Sequence, residues 1–247
     1  MTQQTEVEAA FARHTKIAFQ LSGGRDSSAA LWTLRPYWGR MTVYHANTGD
    51  QYPETTAIID WWRQHVDVTV VHSDVKKYHA EVGWPSDVLP FNGTPLGRDI
   101  SGETTRIVGR LDCCWTNLMW PIHQRMLDDG ITLIVRGQRD ADYKKPPMRS
   151  GDTEGPIEAL YPIQSWTTAE VDAYCREHGL PMAPWYAEGA AHGSDCLHCT
   201  AWWDDGRLPY LRGHHPEPYS IVRRRLDRIG EVITRQFEPL YEGIKDE

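Results

Sequence analysis

Two groups of residues in this chain have the types and spacing to do chemistry. The first is Ser22-Gly23-Gly24-Arg25-Asp26-Ser27-Ser28, which follows the apolar run Lys16-Ile17-Ala18-Phe19-Gln20-Leu21 and precedes a stretch of helical character. A strand, a glycine-rich turn and a helix start together build an anion site. The glycines let the backbone turn tightly and approach a ligand, while the first helix amides and the helix dipole favour negative charge. The serine hydroxyls add donors. A plain strand-to-helix turn with a capping serine needs fewer of these residues, so the order favours phosphate binding. It lacks the Gly-Lys-Ser/Thr ending of a Walker loop, and its glycine spacing is not that of a dinucleotide fingerprint.

The second group is made of cysteines. Cys113-Cys114 and Cys196-x-x-Cys199 are separated by 81 intervening residues. The closing pair has the spacing at which two thiolates reach one metal centre, and the adjacent pair supplies two more sulfurs. Four thiolates suit a tetrahedral zinc or a [4Fe-4S] cluster. His192 and His198 are stand-in ligands for the zinc alternative, and unligated buried thiols are the plainest reading. The fifth cysteine, Cys175, falls in a helical stretch and reads as a small core residue.

Charged residues add a third feature. Arg136, Arg139, Lys144, Lys145 and Arg149 place five cations within fourteen residues of a chain whose net charge is −8. That concentration favours anion binding over a solvated loop. Asp26 and Glu54 are candidates to hold Mg²⁺, or they are acidic residues drawn to helix starts. Arg223-Arg224-Arg225 reads as a solvated helix face, with a nucleic-acid contact as the sharper alternative.

Short β-branched runs alternating with helical patterns must position these groups, and that alternation signals a parallel sheet with crossover helices. Strands are expected at 16–21, 41–46, 68–72, 131–135 and 160–163. Helices are expected at about 27–37, from Pro53 to about 65, at 114–129, from Thr167 or Thr168 to 178, and at 221–236. The stretch 84–109 is rich in Gly, Pro, Thr and Asp and reads as a long loop with little regular structure. The rest of the chain from Pro181 reads as irregular. The expected fold is therefore α/β, with a Rossmann-like parallel five-stranded sheet flanked by helices and an irregular, partly helical C-terminal appendage. The expected domains are 1–180, carrying the phosphate loop, and 181–247, carrying the Cys-x-x-Cys pair.

The loop resembles the PP-loop ATP pyrophosphatase family, whose signature is Ser-Gly-Gly-x-Asp-Ser and whose fold is the adenine nucleotide alpha hydrolase-like one. Thr48-Gly49-Asp50-Gln51-Tyr52-Pro53-Glu54-Thr55 resembles the Thr-Gly-x-x-Phe/Tyr-Pro-Glu-Thr segment of its phosphoadenosine phosphosulfate (PAPS) reductase branch. Arg136-Gly137-Gln138-Arg139, Tyr161-Pro162-Ile163, Trp166-Thr167, Tyr174, His178-Gly179-Leu180-Pro181 and Trp185-Tyr186 follow in that branch's order. The resemblance implies that Ser22 to Ser28 and Gly137 cradle phosphates, and that Ala46, Asn47, Thr48 and Gly49 lie near adenine. It also implies that Glu54 helps with Mg²⁺, and that Arg136, Arg139, Lys144 and Arg149 face the phosphate or sulfate end. Asp26, Arg136 and Arg139 are the expected catalytic residues. The double-cysteine pattern is similar to that of adenylyl-sulfate (APS) reductases, which implies a [4Fe-4S] cluster on Cys113, Cys114, Cys196 and Cys199. Neighbouring cysteines crowd one tetrahedral zinc, whereas a cubane offers each its own iron.

The chain also departs from that branch. Sulfonucleotide reductases attack with a cysteine in a C-terminal Glu-Cys-Gly-Leu-His motif, and here no cysteine follows Cys199. The intact Ser-Gly-Gly-x-Asp-Ser form belongs to enzymes that cleave ATP between its α and β phosphates. Trp115-Thr116-Asn117 stands where basic residues usually follow the double cysteine, with Arg110 as a substitute. The reading is an enzyme that adenylylates an acceptor and couples this to sulfur transfer or redox chemistry. The alternatives are reduction of PAPS or APS to sulfite with a non-standard nucleophile, and a nucleotide-binding component of a nucleic-acid modification complex.

Composition bounds the partners. The acidic balance argues against a broad footprint for duplex nucleic acid, which is bound through released counterions at lysines and arginines. No stretch approaches the roughly eighteen apolar residues of a membrane span, and residues 1–14 do not resemble a signal peptide. A cytoplasmic location follows as the expectation, and there clustered cysteines are ligands or reactive thiols rather than disulfides. Expected partners are an adenine nucleotide, a redox or sulfur-donor protein and further copies of the chain. Several of the eleven tryptophans, including Trp115, Trp120, Trp202 and Trp203, flank the cysteines.

Overall fold

The computed structural model describes residues 3–142, 144, 147–190, 193, 195–204 and 206–244. Lys145 and His192 lie outside these described residues. In chain order the elements are α1 (Gln3–Arg13), β1 (Ile17–Gln20), α2 (Arg25–Thr33), β2 (Thr42–Asn47), α3 (Pro53–Trp62), β3 (Val68–His72), α4 (Val75–Glu81), β4 (Trp84–Ser86), α5 (Pro95–Ser101) and β5 (Ile107–Gly109). There follow α6 (Arg110–Cys114), α7 (Trp120–Asp128), β6 (Leu133–Val135), β7 (Thr153–Glu154), β8 (Ile157–Leu160), α8 (Thr168–Glu177), α9 (Arg207–His214) and α10 (Pro216–Gly243). Two compact units interleave along the sequence. Unit 1 is Met1–Asn47, Tyr52–His72 and Pro121–Pro184, and unit 2 is Thr48–Gln51, Ser73–Trp120 and Trp185–Glu247.

Unit 1 is built on a sheet of strand order β3-β2-β1-β6-β8-β7. Five strands run parallel, as the alternation of elements predicts, and β7 adds an antiparallel edge. Two residues are too few for β7 to leave a periodic signal. Ile17, Ala18 and Phe19 of β1 are buried in succession because a central parallel strand is covered on both faces. On one face Ala18, Tyr44, Ile134 and Ile157 pack from four adjacent strands against Ile122, Met126 and Ile131. The chain moves outward from β1 through β2 to β3, then returns to β6 on the other side of β1. The strand order reverses at β1, and ligands of open α/β sheets bind at such a switch point, beyond the carboxyl ends of the strands.

Local chemistry sets the helix limits in this unit. The helix expected at 27–37 runs instead from Arg25 to Thr33 and passes into a 3-10 segment, Arg35–Arg40. Pro36 explains the change, because a proline disfavours α geometry in the residue before it and cannot donate an amide. Thr167 caps α8 in a full capping box: its hydroxyl accepts the Glu170 N–H at 3.3 Å, and the Glu170 carboxylate accepts the Thr167 N–H at 2.7 Å. The strand expected at 160–163 lies earlier, at Ile157–Leu160, since Pro162 has no N–H for a ladder. Gln3–Arg13, for which no element is expected from the sequence, is helical and buries Val7, Ala10 and Phe11.

Unit 2 overturns the expectation of a long loop at 84–109. Strands β4 and β5 pair in parallel there, Trp84 opposite Ile107, with α5 between them. Thr94 accepts the Gly97 N–H at 3.2 Å and Pro95 occupies the first turn of α5, a start signal that was present in the sequence. The strands were not legible because each is three residues long and is stabilised from far away. Ile107 is buried against Ile229 and Val232, with Trp84 and Ile233 packed alongside. The region after Pro181 is likewise more regular than expected: α9 is additional, and α10 spans 28 residues rather than the expected 221–236. The helix expected at 114–129 begins at Arg110 and carries a π-helical turn at Trp115–Met119 before α7. No helix among the described residues is long and apolar enough to cross a membrane.

Candidate functional site

The loop leaving β1 in unit 1 has the form that an anion cradle requires. Gly23 has φ of 84°, a left-handed conformation that side chains resist, and a Cβ there would lie 2.9 Å from Thr55 Cγ2 of α3. The Gly24 N–H reaches Ser22 Oγ at 3.3 Å, Ser22 donates to Ser27 Oγ at 3.0 Å, and Ser27 donates to the Gly24 carbonyl at 2.9 Å. These bonds fix the two hydroxyls at the start of α2. Ser28 is turned into the core, where its Oγ accepts the Trp62 indole N–H at 3.1 Å. Its backbone N–H is committed to the Gly24 carbonyl at 3.0 Å.

The turn after β6 closes on the same helix start. A Cβ on Gly137 would stand 2.5 Å from the Asp26 carbonyl oxygen and 2.6 Å from the Ser27 nitrogen, so only glycine allows this backbone approach. Arg139 is buried and spans three partners: Asp26 at 2.9 Å, Asp142 at 2.8 Å and Thr168 Oγ1 at 3.2 Å. Burial raises the Asp26 carboxyl above the ordinary carboxylate range, with Arg139 opposing and Asp142 adding to the rise. Arg25 is also buried and pairs with Asp172 at 3.0 Å. Arg136 follows β6 directly, and its N–H bonds the Leu160 carbonyl at 3.1 Å. Glu54 sits in the first turn of α3, which abuts Gly23 through Thr55. Ala46 and Asn47 end β2, and Ala46 packs on the core. Lys144 is exposed, and Arg149 is exposed and 3.6 Å from Asp140. The structure thus gathers Ser22, Gly23, Gly24, Ser27, Asp26, Gly137 and Arg139 at one helix start, and spends the two buried arginines on carboxylates.

Unit 2 contains the four cysteines, all with free thiols. Cys113 is buried in α6 beside the π-helical turn, a local irregularity that often marks functional positions. Its sulfur lies 3.6 Å from His79 Nε2 and 3.8 Å from Asn117 Nδ2. Thr48 Oγ1 lies 3.3 Å from Cys196 Sγ, and the Trp202 side chain bonds Cys114. Trp202 takes a left-handed φ of 63°, and Asp87 accepts its N–H and that of Trp203, each at 2.8 Å.

Burial pushes the Cys113 thiol up to about 12 and the Cys114 thiol to about 11, with the charge of Cys199 the next cause for both. Cys196 is raised for the same two reasons in the same order. Cys199 is therefore electrostatically coupled to each of the other three. Among the described residues no three His, Cys, Asp or Glu side chains are arranged closely enough to hold a metal ion. The chemistry of the donor set nonetheless suits a multi-iron centre: Cys113, Cys114 and Cys196 resist ionising until a cation offsets their charge, and each of the four sulfurs has a polar neighbour, that of Cys199 being the Ala201 carbonyl at 4.0 Å. His79, held neutral by a value lowered to about 4 through burial and the Arg225 charge, was not singled out by its sequence context. Neither were Asp87 and Asp172, whose roles depend on segments more than eighty residues away.

A parallel sheet with a Ser-Gly-Gly-x-Asp-Ser loop at its switch point defines a PP-loop nucleotide-binding domain. More narrowly, the model of the phosphoadenosine phosphosulfate reductase domain matches residues 16–236, and the chain belongs to that family. It is similar to the adenosine 5'-phosphosulfate reductase of Salinibacter ruber, 26% identical over 163 residues that make up 64% of this chain and 57% of that protein. The Burkholderia cepacia adenosine 5'-phosphosulfate reductase is 20% identical over 190 residues, 76% of this chain and 71% of the relative. Among solved structures, the phosphoadenylyl-sulfate reductase of Candida auris in its phosphate complex superposes with a TM-score of 0.52 at 13% identity, over 79% of this chain and 88% of that one. The last likeness speaks to the fold alone.

Proposed function

We propose that the chain is an enzyme that binds ATP through the Ser22–Ser28 loop and transfers its adenylyl group to an acceptor. The observation that carries this reading is the intact loop itself, with Gly23 left-handed, Ser22 and Ser27 fixed at the start of α2, and Gly137 closing on the Asp26 backbone. In the reaction a nucleophilic atom of the acceptor forms a bond to the α phosphorus. The bond from that phosphorus to the bridging oxygen breaks, and pyrophosphate leaves with the electron pair. Loop amides and hydroxyls orient the phosphates and stabilise the charge that develops on them. Arg139 fixes Asp26 in this role, and Arg136, Lys144 and Arg149 are the cations available to the leaving group. Mg²⁺ bound with the nucleotide would take Asp26 or Glu54 as ligands. Ala46, Asn47, Thr48 and Gly49 would line the adenine side. A [4Fe-4S] cluster on Cys113, Cys114, Cys196 and Cys199 would supply sulfur transfer or electron transfer. Zinc is the alternative occupant. Thr48, His79, Asn117 and Trp202 would steady the sulfurs.

A second reading, reduction of APS or PAPS to sulfite, is favoured by the names of the relatives. Against it, Cys175 is fully buried in α8, with its thiol pushed up to about 12 by burial and by Asp26 and Asp172. A thiolate nucleophile would then have to come from a partner protein. A nucleic-acid contact at Arg223-Arg224-Arg225 has less support. Arg225 is half-buried over Trp84, Arg223 pairs with Asp227 at 3.3 Å, and Arg224 bonds Ser220 at 2.8 Å. The deciding experiment uses anaerobically purified protein with iron and sulfide analysis. It compares pyrophosphate release from ATP, across candidate acceptors, with sulfite release from labelled PAPS or APS plus reduced thioredoxin. Pyrophosphate without sulfite is expected, and sulfite without pyrophosphate would overturn the reading.

A further inference from the structure

The segment Thr48–Gln51 leaves β2 and belongs to unit 2 together with the cysteines. Asp50 within it is almost wholly buried, yet it is a carboxylate with every oxygen engaged. Its Oδ2 accepts the backbone N–H of His198 at 3.0 Å, and its Oδ1 lies 2.8 Å from His198 Nδ1 and 3.6 Å from Lys76 Nζ. Its own carbonyl accepts the Leu197 N–H at 2.6 Å. Leu197 and His198 are the two residues between Cys196 and Cys199, so both backbone donors inside the Cys-x-x-Cys loop, and the imidazole, end on one residue. Arg225 donates to the His198 carbonyl at 3.3 Å.

Burying a carboxylate costs several kcal/mol unless its lone pairs are satisfied, and at Asp50 the groups that satisfy them are those of His198 and Lys76. Burial works against the charge of Asp50, but the bonds from His198 and the Lys76 ammonium outweigh it and hold the carboxyl below its usual range. An amide or hydroxyl in its place would be unable to accept at both His198 donors while keeping this charge.

We propose that Asp50 is the positioning residue of the Cys-x-x-Cys loop: by seating Leu197 and His198 it sets the spacing of Cys196 and Cys199.

The test is the alkylation rate of each cysteine by iodoacetamide, resolved by peptide mass spectrometry on full-length, metal-free protein, for wild type, Asp50→Ala and Asp50→Asn. In Asp50→Ala, Cys196 and Cys199 should react at least about tenfold faster, because a local opening of the loop no longer breaks these bonds. Cys175 should stay unreactive and Cys113 unchanged within about twofold, since a local opening leaves the rest of the chain folded. Asp50→Asn, which keeps one acceptor for His198, should lie between. Unchanged rates at Cys196 and Cys199, or an equal rise at Cys175 that signals general unfolding, would overturn the proposal.

Discussion

The phosphate loop and the cysteine centre are assembled in opposite ways. The loop's turn is set locally: seven consecutive residues, one left-handed glycine and two serine hydroxyls fix its shape, and Thr55, Trp62, Gly137, Arg139 and Asp172 pack around it from elsewhere in unit 1. The cysteine centre is nonlocal, and its sulfurs are met by Thr48, His79, Asn117 and Trp202 from four separate stretches of chain. A contiguous device keeps its geometry wherever the strand and helix form, whereas a dispersed one depends on the packing of everything between its parts. The two should therefore respond differently to substitution.

The sharpest contrast is expected at Cys199, the residue whose charge reaches the other three thiols. Cys199→Ser should abolish iron and sulfide retention in anaerobically purified protein while leaving ATP binding intact, and loss of both would remove the independence of the two devices. Next in size is Gly137→Ala. Its Cβ would meet the Asp26 and Ser27 backbone at 2.5 to 2.6 Å. Relief requires a backbone shift, costing about 1–3 kcal/mol by thermal or urea unfolding, and ATP affinity should fall with it.

Glu103 tests how α10 is held within unit 2, the unit that carries the four cysteines. Its side chain is buried; it accepts the Thr104 and Thr105 amides at 2.9 and 2.7 Å, and it pairs with Arg228 at 2.9 Å and with Arg235. Burial opposes the charge, but the Thr105 bonds and both arginines prevail and hold the carboxyl at about 2 against an ordinary 4.5. Its contribution to stability is therefore complete above pH 4.5 and is lost as pH falls toward 2. Glu103→Gln should lower stability near neutral pH by about 2 kcal/mol and flatten this part of the acid-unfolding profile. The smallest effect belongs to the local side of the comparison. Thr167→Ala removes one cap of α8 and should cost about 1 kcal/mol with iron content unchanged.

The same division explains what could be read from the sequence. β1, its loop, β2, β3 and the Thr167 cap follow from short-range patterns, and all five parallel strands were expected, though the last is displaced toward the N-terminus by Pro162. β4 and β5 escaped because three-residue strands carry no period, and their partners Ile229 and Val232 lie more than a hundred residues on. The cysteine spacing was legible, but its supports were not: nothing near His79 or Asp87 in the sequence marks them as neighbours of Cys113 or Trp202. Arg25 and Arg139 were expected to face phosphate. Their burial against Asp172 and Asp26 depends on the packing of α8 and on the turn after β6.

The interleaving of the two units has a consequence for synthesis. By the time Pro184 leaves the ribosome, every segment of unit 1 exists, whereas unit 2 still lacks Trp185 onward and with it Cys196 and Cys199. The sheet can close during translation, while Cys113 and Cys114 wait without Cys196 and Cys199 beside exposed Trp115 and Trp120. If the four thiols hold iron as proposed, iron can be delivered only after Cys199 has emerged, and nascent chains stalled before residue 196 should be the form most prone to oxidation and aggregation.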